Sequence, residues 1–367
     1  MYGRPSSALN PALEARYRSN RLTVTRQLPY RPGSAETLDL GLFVNGIPVA
    51  TAELKNPLTG QTVEHAKAQY VDRDFKAPAM RWAVVHFAVD TEDVFMTTRQ
   101  PKRVTDFLPF NQGDGNNAGN PARPGDHRTG YLWSEVWQRD AWLDLLGRFV
   151  HTEGETTIFP RFHQWRAVRR LEDHALTEGA GHSYLVQHSA GSGKSNTIAW
   201  LAHRLSTLQA DSVPIFDKVV VITDRVVLDR QLQDTIYQFD HVHGVVERID
   251  TDSAQLADAL AGERARIIIT TLQKFPFVMR HVEELQKRRY AVIIDEAHSS
   301  QTGDSAKEMK KVLGSGPDNG EAELQAAEAA EAGLVDEAAD PMQDALAIEV
   351  EARGRQANMS FFAFTAT

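Results

Sequence analysis

Apolar and polar positions follow two different rhythms along this chain. In the first hundred residues, short β-type runs alternate with turn formers: Leu38 to Val44, an Asn45-Gly46 turn, Val49 to Lys55, and then Ala83 to Val89. Runs of this length, rich in β-branched residues and broken by Asn-Gly, predict strands joined by a tight hairpin. They define a small mixed α/β module over 1–110. From Phe159 onward the pattern changes. Tyr184 to Gln187, Val219 to Thr223, Ile267 to Thr270 and Ala291 to Ile294 are largely apolar, as parallel strands covered on both faces are. Between the first two, Ile198, Leu201, Leu205 and Leu208 recur at three- and four-residue steps, giving a helix one apolar face toward that sheet. Alternation of strand and helix predicts an open α/β sheet over 159–367.

Composition refines the division. Residues 111–130 are rich in Gly, Asn, Pro and Asp, turn formers that bury little apolar surface, so 111–158 is expected to be a linker with a connecting helix. Residues 314–357 are Ala- and Glu-rich with few large apolar side chains. They are expected to form an exposed helical insert or a disordered arm without a catalytic role. The 367 residues, 42% hydrophobic, suffice for two or three domains that each bury a core. No apolar run has the length of a membrane span, and the N-terminus lacks the apolar stretch of a secretory signal. A cytoplasmic protein without a membrane partner is therefore expected. There is no cysteine, so any metal must sit on oxygen or imidazole. The net charge of −9 weighs against non-specific nucleic-acid binding. Much of that acid lies in the late insert, however, and charge alone does not exclude DNA.

The segment QHSAGSGKS places Gly191, Ser192, Gly193, Lys194 and Ser195 between a predicted strand and the amphipathic helix. In that context glycines let backbone N–H groups close around phosphate oxygens, and the helix N-terminus favours negative charge. Lys194 would reach the β- and γ-phosphates of ATP, and the Ser195 hydroxyl would bind Mg²⁺. The first glycine of the usual pattern is replaced by His188. Later, Val292, Ile293 and Ile294 lead into Asp295-Glu296-Ala297-His298. A carboxylate pair ending a buried strand can hold Mg²⁺ through Asp295 and orient the attacking water through Glu296. In this order the motifs resemble superfamily two helicases and translocases, with a RecA-like first lobe. The resemblance implies an adenine-reading role for Gln164, DNA-backbone contacts for Thr223, Arg225, Thr270 and Thr271, and a coupling role for Thr365 and Thr367. Each threonine taken singly also reads as a β-branched residue ending a strand.

In the first module, Asp39 is followed by Glu53-Leu54-Lys55, the pattern of PD-(D/E)xK nucleases. Alternation along a strand sets Glu53 and Lys55 on one face. Two carboxylates, Asp39 and Glu53, can hold Mg²⁺ beside a scissile phosphate, while Lys55 stabilises charge or helps activate water. The hairpin sets a condition: a strict two-residue turn would pair Asp39 with Ala52 and leave Glu53 facing away. The chemistry needs an odd-length loop or a bulge, and Asn-Gly permits either.

Beyond these motifs, the stretches LDLGLFVNGIPVATAELKNPLTGQTVEHAKAQY, LVQHSAGSGKSNTIAWLAHRL and VIIDEAHSSQTG resemble the N-terminal part of the R subunits of type I restriction-modification enzymes. The resemblance implies a restriction-endonuclease-like module followed by the first motor lobe. It also implies ATP and Mg²⁺ as cofactors, and double-stranded DNA with methyltransferase (M) and specificity (S) subunits as partners. Some relatives carry a Gln-x-x-x-Tyr helix motif after the lysine; here Ala66 stands four before Tyr70, and the Gln69-Tyr70 pair remains. The chain begins close upstream of Asp39 and stops at the coupling motif, before a second motor lobe. Two alternatives stay open: a non-catalytic ATP- and DNA-binding fragment, and a helicase or remodeller whose N-terminal module only grips DNA.

Overall fold

The computed structural model describes residues 1–5, 10–115, 117–189, 191–223, 229–238, 245–249, 253–271, 285–295 and 357–366. They fall into two compact units, Met1–Ala167 and Val168–Thr367.

The first unit opens with α1 (Pro11–Arg18), capped by the Asn10 side chain, which accepts from the Ala12 and Leu13 N–H groups. One sheet follows, with strands β1 (Leu22–Pro29), β2 (Thr37–Val44), β3 (Ile47–Leu54), β4 (Val85–Val89), β5 (Val94–Thr97) and β6 (Leu108–Pro109) in that spatial order. Every neighbouring pair is antiparallel except β3 and β4. A parallel pair needs a crossover, and α2 (Val63–Asp72) with α3 (Pro78–Trp82) supplies it. Val63, Ala66, Lys67 and Tyr70 form the buried face of α2, the spacing of one helical stripe. Asp90, just past β4, accepts the Val63 N–H at 2.8 Å and so secures the first turn of that helix.

A polar chain runs beneath this face. The Thr51 hydroxyl lies 2.8 Å from the Tyr70 hydroxyl and 2.8 Å from His86 Nδ1, and all three residues are buried. Burial raises the Tyr70 hydroxyl well above its usual range and pulls the His86 imidazole from 6.5 down to about 3.

The stretch expected as a linker packs within this unit. It contains α4 (Arg139–Arg148) and the hairpin β7 (His151–Glu153) and β8 (Thr156–Ile158). Its aromatic rings pack against the sheet and the start of the next helix: Phe87 meets Trp137 at 5.7 Å between ring centroids, and Tyr131 meets Phe162 at 5.0 Å. The turn formers are tied down as well, Thr129 Oγ1 donating to the Asp90 carbonyl at 2.7 Å and Asn120 Nδ2 to the Glu92 carbonyl at 2.8 Å. A few large rings and side-chain donors thus order a segment whose average composition reads as a loop.

Helix α5 (Phe162–Glu178) leads into the second unit. There β9 (Ser183–His188) precedes α6 (Lys194–Ser206), and a short hairpin, β10 (Gln209–Ala210) and β11 (Val213–Pro214), precedes β12 (Lys218–Thr223). The remaining described elements are α7 (Asp229–Gln238), β13 (Val246–Arg248), α8 (Ser253–Ala261), β14 (Ile267–Thr271), β15 (Tyr290–Ile294) and β16 (Met359–Ala366). The sheet order is β13-β14-β12-β15-β16-β9, and every pair is parallel. The four apolar runs supply β9, β12, β14 and β15, and β13 and β16 complete the sheet. At the amino end of β12 the buried Lys218 ammonium donates to the carbonyls of Ala259, Gly262 and Ala265. Those acceptors satisfy its three donors and close the end of α8. No described helix is long and apolar enough to cross a membrane.

His86 makes the first unit sensitive to acid. The folded state keeps the imidazole neutral down to about pH 3, whereas an unfolded histidine takes up a proton near 6.5. The stability it contributes is complete above pH 6.5 and is lost as pH falls toward 3. Urea titrations between pH 6.5 and 4 should show stability falling, and His86→Gln should flatten that slope by roughly 1 kcal/mol per pH unit. An unchanged slope in the variant would show that the imidazole is not the group being titrated.

Candidate functional site

The β2–β3 hairpin decides whether the acidic residues of the first unit meet. Asn45 and Gly46 both hold left-handed backbones, φ 53° and 82°, which is the two-residue turn that matches strand twist. Val44 pairs with Ile47 and Phe43 with Pro48, the register that would take Asp39 to Ala52. A bulge between Leu42 and Phe43 then shifts the ladder, so that Leu42 pairs with Ala50 and Leu40 with Ala52. One further step along that ladder sets Asp39 opposite Glu53. The condition posed by the sequence is met through a bulge rather than a longer loop.

The side chains converge accordingly. Asp39 Oδ2 accepts the Leu54 N–H at 2.8 Å and lies 3.7 Å from Lys55 Nζ. Glu53 is 1% exposed and is held by a residue that the motif did not indicate. Arg73, just past α2, donates to Glu53 Oε1 through Nη2 at 2.7 Å and Nε at 3.2 Å. Burial lifts the Glu53 carboxyl from 4.5 to about 7; Arg73 opposes the shift and the neighbouring Asp39 adds to it. Two adjoining carboxyl groups, Glu53 buried and Asp39 half-buried, favour a cation between them. Among the described residues no group of three or more His, Asp or Glu comes together as a metal cage. Tyr70 serves this region from below, through Thr51 rather than at the carboxylates.

In the second unit the predicted motifs gather along one edge. Parallel strands end together, and beyond their carboxyl ends lies the usual ligand crevice of an open α/β sheet. The loop after β9, the ends of β12 and β14, Asp295 after β15 and Thr365 near the end of β16 all belong to that edge. Gly191 and Gly193 have φ of 73° and 83°, a backbone that glycine adopts without penalty, and α6 begins at Lys194 with Ser195 in its first turn. Ser192 is buried, and its hydroxyl has no hydrogen-bond partner among the described residues. Such an orphaned group inside a loop of N–H donors suits a phosphate oxygen. The strand β16 separates β9 from β15, and the Asp295 N–H is tied to the Ile222 carbonyl at 3.0 Å.

The remaining candidates divide. Gln164 is buried in the first turn of α5, where its Oε1 accepts the Arg161 N–H at 2.8 Å. Thr223, Thr270 and Thr365 are buried inside their strand ends, while Thr271 is half-buried. Thr223 ends β12 and Thr271 ends β14, with Thr270 one position before it. Arg225, Glu296, Thr367 and all but the last residue of the insert 314–357 lie outside the described residues.

Two family models match this chain: "type I restriction enzyme R protein N terminus" over residues 13–104 and "SWI2/SNF2 ATPase" over 163–316. The putative type I restriction enzyme MjaIXP endonuclease subunit of Methanocaldococcus jannaschii is 25% identical over 77% of this chain and 29% of its own length. The HindI endonuclease subunit of Haemophilus influenzae is 28% identical over 78% of this chain and 28% of its own. The SauCOLORF180P endonuclease subunit of Staphylococcus aureus is 24% identical over 80% and 30%. The chain therefore spans under a third of the length of these relatives. Residues 13–104 thus match the R-protein model and residues 163–316 the SWI2/SNF2 ATPase model, and over most of its length the chain is similar to type I restriction enzyme endonuclease subunits.

Proposed function

We propose that the chain acts as part of a restriction R subunit that hydrolyses ATP to translocate double-stranded DNA and cuts that DNA at a Mg²⁺-dependent site. The observation that carries the nuclease half is the β2–β3 bulge, because it brings Asp39, Glu53 and Lys55 together where plain pairing would separate them. Asp39 and Glu53 would hold Mg²⁺, which when bound supplies positive charge beside the scissile phosphate and acidifies a water molecule. Lys55, largely buried beside Asp39, presents its ammonium to the charge that develops on the phosphate.

In the motor half, Gly191, Ser192 and Gly193 would wrap the phosphates of ATP and Lys194 would neutralise them. Ser195 and Asp295 would hold the nucleotide's Mg²⁺, Gln164 would read adenine, and Glu296 would orient the attacking water. Thr223, Thr270 and Thr271, at or next to the carboxyl ends of β12 and β14, would contact the DNA backbone, and Thr365 near the end of β16 would serve coupling. Arg225 would join the DNA contacts and Thr367 the coupling. Methyltransferase and specificity subunits would supply target choice. Work on cellular DNA with cellular ATP places the protein in the cytoplasm.

Two substitutions separate the halves. In the complete complex, Lys55→Ala should lower DNA cleavage by about 100-fold or more while ATP hydrolysis stays at the wild-type rate. Cleavage at an undiminished rate would remove the nuclease assignment. Lys194→Ala should abolish ATP binding in a calorimetric titration, and binding at wild-type affinity would place the nucleotide elsewhere.

A further inference from the structure

One residue of β1 departs from its strand. Gln27 has φ 48°, a left-handed backbone that an L residue with a full side chain adopts at a steric cost. Its neighbours Arg26 and Leu28 pair normally with Leu40 and Leu38, so Gln27 stands level with Asp39. Core packing does not account for the conformation, since Gln27 and its neighbours back to Thr23 are exposed. What the conformation accomplishes is visible in the side chain. Gln27 Nε2 donates to Asp39 Oδ1 at 3.1 Å, while Gln27 Oε1 accepts from Thr37 Oγ1 at 2.9 Å.

Arg73 treats the second carboxylate in the same manner. Beyond its two hydrogen bonds to Glu53 Oε1, its Nη2 donates to the Thr37 carbonyl at 2.7 Å, and its guanidinium lies 5.0 Å from the Tyr30 ring centroid. Both clamps are therefore braced on Thr37, the first residue of β2 and two positions before Asp39. Outer partners of this kind restrict the rotamers of carboxylates that hold a metal, and losing one typically weakens metal affinity about 10- to 100-fold.

We propose that Gln27 and Arg73 are positioning residues that hold Asp39 and Glu53, one carboxylate each, in the geometry that receives a divalent cation. The inference rests on the metal-site reading given above. It assigns the left-handed backbone of Gln27 to function: strain kept in a strand because it aims an amide at Asp39.

Glycine adopts the left-handed backbone freely, so Gln27→Gly removes the amide and relieves the strain together. Calorimetric titration of the chain with Mn²⁺ alone, paired with thermal unfolding, reads both consequences. The expected result is an unfolding temperature equal to or above wild type, with the Mn²⁺ dissociation constant raised about 10-fold. Arg73→Gln should weaken Mn²⁺ binding at least as much, and Arg73→Lys, which keeps one donor and the charge, should recover part of it. Should Arg73→Gln fail to fold, Gln27→Gly decides the matter by itself. Wild-type Mn²⁺ affinity in Gln27→Gly and Arg73→Lys, with binding abolished in Asp39→Ala, would overturn the positioning role and leave the metal site standing. Wild-type affinity in Asp39→Ala and Glu53→Ala would remove the metal site, and the positioning role with it.

Discussion

A strand shows its side chains to opposite faces in turn, so a slip of one residue between β2 and β3 exchanges everything those strands present. The meeting of Asp39 with Glu53 in the first unit depends on that slip. The tight Asn45-Gly46 turn dictates one register near its tip, and the bulge at Leu42 and Phe43 converts it to the other before the ladder reaches Asp39. A bulge leaves one residue unpaired and sharpens the local twist, a local disruption at the site's own edge. The parallel pairing of β3 with β4 then carries the shifted strand onward, Lys55 N–H donating to the Val89 carbonyl at 2.8 Å. Lys55 is thereby anchored by its backbone as its side chain turns toward Asp39.

Two buried charges show how the units use ionic groups differently. Glu53 sits beside Asp39 with Arg73 as its counterion. Removing one partner of such a buried pair typically costs about 3–5 kcal/mol, because the other charge remains unpaired. The pair holds a carboxylate in place without saturating it, since both Arg73 donors fall on Oε1. Lys218 instead meets three carbonyls at the amino ends of the second unit's strands. There the three ammonium donors are met by backbone oxygens. The carboxyl ends of the same strands carry the glycine loop and the motif residues. The Ser192 hydroxyl at that edge has no hydrogen-bond partner among the described residues.

Much of the second unit was legible from residue order, because strands buried on both faces leave nearly unbroken apolar runs and the glycine loop has to follow one of them. The nuclease pattern was legible as a set of residue types, and its dependence on register could be stated in advance. Arg73 and Gln27 gave no signal: an arginine after a helix and a glutamine in an exposed strand resemble many others, and their partners are 20 and 12 residues away. The packed state of residues 111–158 was hidden too, since composition averages over a stretch whose order comes from a few rings and amide donors.

By itself the sequence determined part of the local grammar of this protein: the β2–β3 hairpin, four strands of the parallel sheet and the helix after β9, which loop has the backbone freedom to surround a phosphate, and which acids and lysine could serve one cation. These follow from periodicity and residue chemistry, which act over a turn or a strand. Tertiary structure alone decided whether Asp39 faces Glu53 and which groups hold the two carboxylates. Register, burial and counterions arise between segments distant in the chain, and a residue's identity does not encode what will be packed against it.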